Sequence, residues 1–463
     1  MGLFSIGKGT VVKKNEPGPA PEHTQEPAEQ SAEDKRQSDS MICYRHLQDE
    51  LQSEHHGVAM KFYIQNFRRM NELFGFDYCE QLLSQILDYL EEQTQCKVYR
   101  YVGVEFIVIL RGCNQGRAAA LVEKILDRFE SGWEIGDTEC ICTIHAGLCS
   151  YPGYANTVED LLKCLDLAVS HSMESGDNRY AFYDQKMHLI HQRHQAIARN
   201  LASALEKHEL EMRYRTTYDV KKGKFTRAEF YIRIFVPELG MVGGVEFIPI
   251  AEESGQIRAL MYYVLNETAS RISELLEQNI EFETVAVWIS PVLLQQADFV
   301  DKVAEVIRRY QIPADKLAIE IDGNDISSSY NTIMDLTTKL SDMGVELILN
   351  NYGSGASGLS QMLDLPVDIL KFERMYIWQM DNDPQSEPVV EGLIRIAQKL
   401  GKRVIAEGVE TEHQLELLDR FGCSLRQGFY YAPTIPESLL SSVLGKSMDE
   451  CREVLDQERT HLK

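Results

Sequence analysis

An alternation of short strands and helices fills the second half of this chain, and it narrows the possible folds more than any other feature. Between about residues 207 and 445, β-rich runs recur as MRYRTTYDV, TRAEFYIRI, TVAVWIS, KLAIEID, ELILNN, ILKFE, RVIAEGV and QGFYYA. Helical patterns separate most of them, such as those over 299–310 and 414–421. Strands alternating with helices at this spacing predict a (β/α)8 barrel, because each parallel neighbour needs a crossover long enough to hold a helix. The first two runs are joined only by KKGK, so they read as a hairpin. The barrel is therefore expected to be irregular, with one antiparallel strand.

In such barrels chemistry gathers at the C-terminal ends of the strands. Those ends carry Glu229, Trp288, Glu320, Asn350, Asn351, Lys371, Glu407 and Gln427. A lone acid or amide at the end of an apolar strand is ordinarily a satisfied structural group. Here one strand after another contributes such a residue, which points to a shared polar site.

The first half reads differently. A block over 40–182 has a strand-like run at 57–64 and a helix at 78–92. A hairpin of KVYRYV and EFIVIL turns at Gly103. Helices follow at 116–129 and 158–172, with strands around 139–148. This pattern predicts an α/β domain of ferredoxin-like kind. Residues 184–206 form one connecting helix, with Met187, Ile190, Ile197, Leu201 and Leu205 on or near one face. Residues 1–38 are rich in Pro, Glu, Gln, Ala and Ser; they cannot bury enough apolar surface to offset their ordering entropy and are expected to be a disordered tail.

The formal net charge of −24 argues against direct nucleic-acid or anionic-membrane binding. No run approaches the roughly 18 apolar residues of a membrane helix. MGLFSIGKG lacks an apolar signal core, and the position that myristoylation needs as Ser or Thr is Ile6, so a cytoplasmic protein is expected. None of the ten cysteines pairs at CxxC spacing, and they read as buried reduced thiols.

FIPIAEESGQI, MGVELILNNYGSG, LPVDILKFERMYI and IAEGVETEHQLELLDRFGC followed by QGFYY resemble the EAL family of cyclic-di-GMP phosphodiesterases, in the family's order and over the whole of 207–440. More weakly, NFRRMNELFG, RYVGVEF and SGDNRYAFYD make the preceding block resemble the GGDEF diguanylate cyclases. The resemblance implies hydrolysis of a phosphodiester by two divalent metals, Mg²⁺ or Mn²⁺, held mainly by carboxylates. It makes Glu229 and Glu320 metal-binding acids, and Lys371, Glu407, Glu410 and Gln427 the lysine, acids and amide of the site. Arg233 becomes a contact to substrate phosphate.

Several positions depart from the family pattern. The EAL motif itself reads Glu229-Phe230-Tyr231; Trp288 replaces an Asn, Asn350 and Asn351 replace two Asp, and Gly323 replaces the acid after Asp322. Indole is only an N–H donor, and an amide keeps the shape of Asp without its charge. The cyclase signature reads Val102-Gly103-Val104-Glu105-Phe106, with Tyr63 at the other metal-binding Asp and Met173 at the phosphate-contacting Lys. The resemblance thus implies a non-catalytic regulator with no required cofactor. It acts as a cyclic-di-GMP receptor, with Trp288 stacking on guanine or merely filling the vacated space, or as a protein adaptor. The implied partners are cyclic-di-GMP and an unidentified protein, with a homodimer through the first domain. The alternative is a weak Mg²⁺- or Mn²⁺-dependent phosphodiesterase using Glu229, Glu320 and Glu407.

Overall fold

The computed structural model describes residues 27–53, 55–325, 330–352 and 359–461. The chain divides into two compact units, Met1–His191 and Gln192–Lys463. The tail expected over 1–38 lies outside the described residues as far as residue 26. From Pro27 to Gln52 the chain is helical, and Cys43 and Leu47 of that helix are fully buried.

The first unit holds β1 (Gly57–Ile64), β2 (Val98–Arg100), β3 (Glu105–Arg111), the small pair β4 (Trp133–Ile135) and β5 (Thr138–Cys140), then β6 (Ile144–Tyr151) and β7 (Tyr180–Phe182). Five of them form one sheet in the order β2-β3-β1-β6-β7, with β1 antiparallel to both neighbours. Strand β1 is buried on both faces, and its period of two sorts its side chains. Val58, Met60, Phe62 and Ile64 enter one core, with the helices Phe76–Thr94 and Gln115–Arg128; Ala59 enters the other, with the helix Val158–Glu174. Close packing of that last helix requires Gly147: a Cβ there would lie 2.4 Å from the Leu165 carbonyl oxygen. The expected mixed α/β domain is borne out.

The second unit is the expected barrel. Its strands are β8 (Glu211–Asp219), β9 (Lys224–Val236), β11 (Thr284–Trp288), β12 (Leu317–Asp322), β13 (Glu346–Tyr352), β14 (Ile369–Phe372), β15 (Arg403–Glu407) and β16 (Leu425–Gln427), with β10 (Gly240–Gly243) and β17 (Ile435–Pro436) as additions at the edges of β9 and β8. Strands β9 and β11 to β16 run parallel around the barrel, and β8 closes it antiparallel to both β16 and β9. The KKGK hairpin is the origin of that irregularity. Inside, Ala286, Ala318, Ile348, Ile369, Ile405 and Leu425 form an apolar plug separate from the main core. Residues two positions further along several strands emerge at the C-terminal mouth.

Three details differ from the sequence reading or extend it. QGFYYA is not a strand: β16 ends at Gln427, and Gly428 turns the chain with φ 156° against the backbone of Val409, where a Cβ would lie 2.3 Å from the nitrogen. The connecting helix runs Gln185–Lys207, and the division between units falls inside it; Ile197 and Leu201 are buried, but Ile190 is exposed. The second unit also continues past residue 445, through a helix Met448–His461 that buries Cys451 and Leu455.

Candidate functional site

The barrel mouth is organised around one ammonium group. Lys371, the penultimate residue of β14, is fully buried because alternation points it inward past Ile369 of the plug. Its Nζ lies 2.6 Å from Glu229, 3.4 Å from Glu320 and 3.7 Å from Glu407. Gln427 donates its amide N–H to Glu229 at 3.2 Å. A second cation joins from β8: Arg215 Nη1 is 2.7 Å from Glu407 Oε1 and 3.9 Å from Glu229. The expected convergence of Glu229, Glu320, Lys371, Glu407 and Gln427 is therefore present, whereas Glu410 is exposed.

Burial sets the electrostatics of this cluster. Loss of solvent, and then the charge of Glu229, push the Glu320 carboxyl up to about 8, against the opposing pull of Lys371. Burial works against the charge on Lys371, but Glu229, Glu320 and Glu407 outweigh it and hold the ammonium above its ordinary range. Burial likewise works against the charge on Glu229, and Lys371 and Arg215 overcome it, holding the carboxylate low. Burial thus favours the neutral form of Glu320, while Lys371 and Arg215 hold Glu229 in its charged form.

A cavity of 360 Å³ adjoins the cluster, lined among others by Glu229, Tyr231, Ile248, Met261, Trp288 and Asn351. Its walls are largely apolar. Trp288 is half-buried against the core and in register with Glu320. Asn350 and Asn351 sit where β13 slips register against β14, and Asn351 has φ 51°, a conformation Asn tolerates better than most residues. Their polar groups are engaged locally. Asn350 Oδ1 accepts the Asn351 backbone N–H at 2.9 Å, and Asn351 Nδ2 donates to Asp322 at 2.6 Å. Asp322 also accepts the Asn324 backbone N–H at 2.9 Å. Arg233 lies four residues beyond Glu229 on the same face of β9 and outside the cavity lining. It is half-buried, and its side chain makes no hydrogen bond or ion pair to another described residue.

In the first unit the turn Val102-Gly103-Val104-Glu105-Phe106 joins β2 to β3. Val102 is exposed, Gly103 has φ 56°, and Phe106 is fully buried. Glu105 is paired: Lys61 Nζ lies 2.8 Å from it and 2.5 Å from Asp166. Arg100 makes a two-bond pair with Glu80, at 2.7 and 3.0 Å. Val104 packs against the core.

Lys61 and Arg215 were missed by sequence reasoning. Each is a cation inside a β-rich run, and the alternation of the strand gave the signal: Arg215 shares a face with Thr217, whose hydroxyl lies 3.5 Å from Gln427 Nε2.

Residues 198–434 match the family model for the EAL domain, and residues 40–179 match the model for the diguanylate cyclase GGDEF domain. The bifunctional diguanylate cyclase/cyclic di-GMP phosphodiesterase MucR of Pseudomonas aeruginosa is 26% identical over 400 residues, which cover 86% of this chain and 58% of that protein. The cyclic di-GMP phosphodiesterase NbdA of the same organism is 27% identical over 391 residues, covering 84% of this chain and 50% of that one. The chain thus spans about half the length of these relatives. The solved PaMucR phosphodiesterase, a c-di-GMP complex, superposes with a TM-score of 0.51 at 28% identity, over 53% of this chain and 99% of that one.

Proposed function

This chain belongs to the EAL domain family, with a GGDEF domain ahead of the EAL domain, and we propose that it is a non-catalytic cyclic-di-GMP receptor of the cytoplasm that passes ligand state to a protein partner. The observation that carries this reading is the ion network at the barrel mouth. Lys371 Nζ stands among Glu229, Glu320 and Glu407, and Arg215 takes up the other side of Glu407. Carboxylates already matched by the fully buried Lys371 and the half-buried Arg215 have little charge left to offer a metal.

The rest of the donor set does not fit two Mg²⁺ or Mn²⁺ ions either. Hard cations of this kind take several oxygen ligands, mostly anionic. Trp288 offers an N–H donor only, and Asn350 and Asn351 offer neutral amide oxygens in place of carboxylates. What the mouth does offer is suited to an anion bearing planar bases. Arg233 has a guanidinium free to meet phosphate. Trp288 provides an aromatic face beside a 360 Å³ cavity, a size suited to part of a dinucleotide. With neutral Asn350 and Asn351, no carboxylate at those positions repels the ligand's phosphates.

The first domain supports the same conclusion. A cyclase needs metal-binding acids, yet Val104 and Tyr63 replace two of them and Glu105 is held by Lys61. The domain serves as a contact or dimerisation module.

Calorimetric titration with cyclic-di-GMP in EDTA, beside a product assay in Mg²⁺ and Mn²⁺, tests the reading. Binding in EDTA without turnover is expected, with Arg233→Ala weakening it about tenfold or more. Absence of heat at high micromolar ligand leaves only the adaptor role. Because Glu229, Glu320 and Glu407 do converge, the alternative is a weak metal-dependent phosphodiesterase; MucR is named a bifunctional cyclase and phosphodiesterase and NbdA a phosphodiesterase. Steady metal-dependent product abolished by Glu229→Gln would establish it.

A further inference from the structure

We propose that the C-terminal helix Met448–His461 is a strap that sets the geometry of the barrel mouth, with Arg459 as its positioning residue. This helix lies beyond residues 198–434, which the EAL model matches. It is anchored by Cys451 and Leu455, both at most 2% exposed. Near its end, one nitrogen of Arg459, Nη2, lies 3.2 Å from the carbonyl oxygen of Phe429, 3.0 Å from that of Tyr430 and 3.1 Å from that of Tyr431. Its Nη1 donates to Asp456 at 2.8 Å, which fixes the guanidinium plane. Three successive carbonyls converging on one cation define a turn whose oxygens are oriented by the helix.

The other side of the same turn is tied to the site. The Gly408 and Val409 N–H groups both donate to the Gln427 carbonyl, at 2.8 and 3.0 Å, and the Tyr430 N–H donates to the Val409 carbonyl at 3.0 Å. Glu407 and Gln427 thus stand at the ends of two strands that this turn staples together. The close approach of Gly428 to Val409 leaves no slack in between. A second tie acts a few residues on, where Arg213 Nη2 donates to the Thr434 carbonyl at 2.6 Å and to Glu458 of the strap at 3.1 Å. The turn also presents Phe429, 61% exposed, at the rim. Release of Arg459 therefore loosens the positions of Glu407 and Gln427 without touching either side chain. The consequence for ligand rests on the receptor reading; the strap itself does not.

The test separates the two. Hydrogen exchange is measured on ligand-free, full-length protein at the amides of Gly408, Val409, Tyr430 and Tyr431. Arg459→Ala is expected to accelerate exchange there about tenfold. Arg459→Lys should restore part of the protection, since an ammonium still donates to carbonyls. Arg452→Ala, which removes an exposed pair with Asp449 on the same helix, is the control and should leave these amides unchanged. If Arg459→Ala does not fold, Arg459→Met, which keeps the apolar stem without a donor, carries the same measurement. Unchanged exchange overturns the strap. Calorimetry in EDTA then reads the consequence: Arg459→Ala should weaken cyclic-di-GMP binding at least about fivefold relative to Arg452→Ala. Loosened amides with unchanged affinity overturn the positioning role. Loosened amides in a protein that binds no ligand at all leave the strap standing and remove the receptor reading.

Discussion

Lys371 shows how much one side chain carries here. Its ammonium is fully buried and holds hydrogen-bond distance to Glu229. Lys371→Met would leave Glu229 and Glu407 with only Arg215 between them. Removing one member of a buried ion network leaves uncompensated charge, so the variant is expected to lose about 3–5 kcal/mol of stability, read from the urea midpoint at constant slope. Glu320 makes the opposite case. Its carboxyl is raised from 4.5 to about 8 in the folded protein, so between those values the native state binds the extra proton. Stability must then fall as pH rises through that window. Urea titrations from pH 5 to 8 should show that decline, and Glu320→Gln, which fixes the neutral form, should remove it. A wild-type slope that Glu320→Gln leaves intact would contradict the protonation assigned to Glu320.

The strands of the barrel carry charge at both ends, for different purposes. At the N-terminal ends Arg227 is 3% exposed and pairs with Glu283 and Glu346, while Arg403 lies 3.0 Å from Glu283 and also pairs with Glu346. Burial opposes the charge of Glu283, but Arg227, Lys222 and Arg403 overcome it and lower its carboxyl to about 2. A depressed carboxyl stabilises fully above its unfolded value of 4.5 and loses that contribution as pH falls toward 2. Glu283→Gln should therefore cost about 2–3 kcal/mol at pH 7 and much less below pH 3, checked by denaturation at the two pH values. The apolar plug of Ala286, Ala318, Ile348, Ile369, Ile405 and Leu425 keeps this ring apart from the mouth. The network at the N-terminal ends is a stability feature, and the variant is expected to leave ligand binding unchanged.

For the whole molecule, the receptor reading has a thermodynamic consequence. A ligand that binds only the folded second unit stabilises it by about 2.7 kcal/mol at a hundredfold excess over its Kd. In a scanning melt with EDTA, cyclic-di-GMP should raise the transition of the EAL unit. The net charge of −24 also predicts no appreciable capture of RNA or duplex DNA at physiological salt, which filter binding would check. Among the described residues no helix is long and apolar enough to cross a membrane.

Much of this was legible in one dimension because strands and helices announce themselves by period. The run GVAMKFYI became β1 over the residues expected, and KKGK foretold the antiparallel closure of the barrel by β8. The ends of the apolar runs also located Glu229, Glu320, Lys371, Glu407 and Gln427, since inward alternation past an apolar plug leaves those residues only the mouth. Sequence alone could not show what neutralises what. The partners of Lys371 lie 142, 51 and 36 residues away along the chain. Arg215 reaches Glu407 only because β8 closes the barrel next to β16. The strand once expected through QGFYYA ends early because Gly428 abuts the backbone of Val409, a contact no local pattern encodes. The helix beyond residue 445 acquires meaning only when Arg459 meets the carbonyls of Phe429, Tyr430 and Tyr431. Local period set the elements of this protein. Long-range burial decided the charge states and contacts of its site, because desolvation and pairing depend on which strand ends the closed barrel brings together.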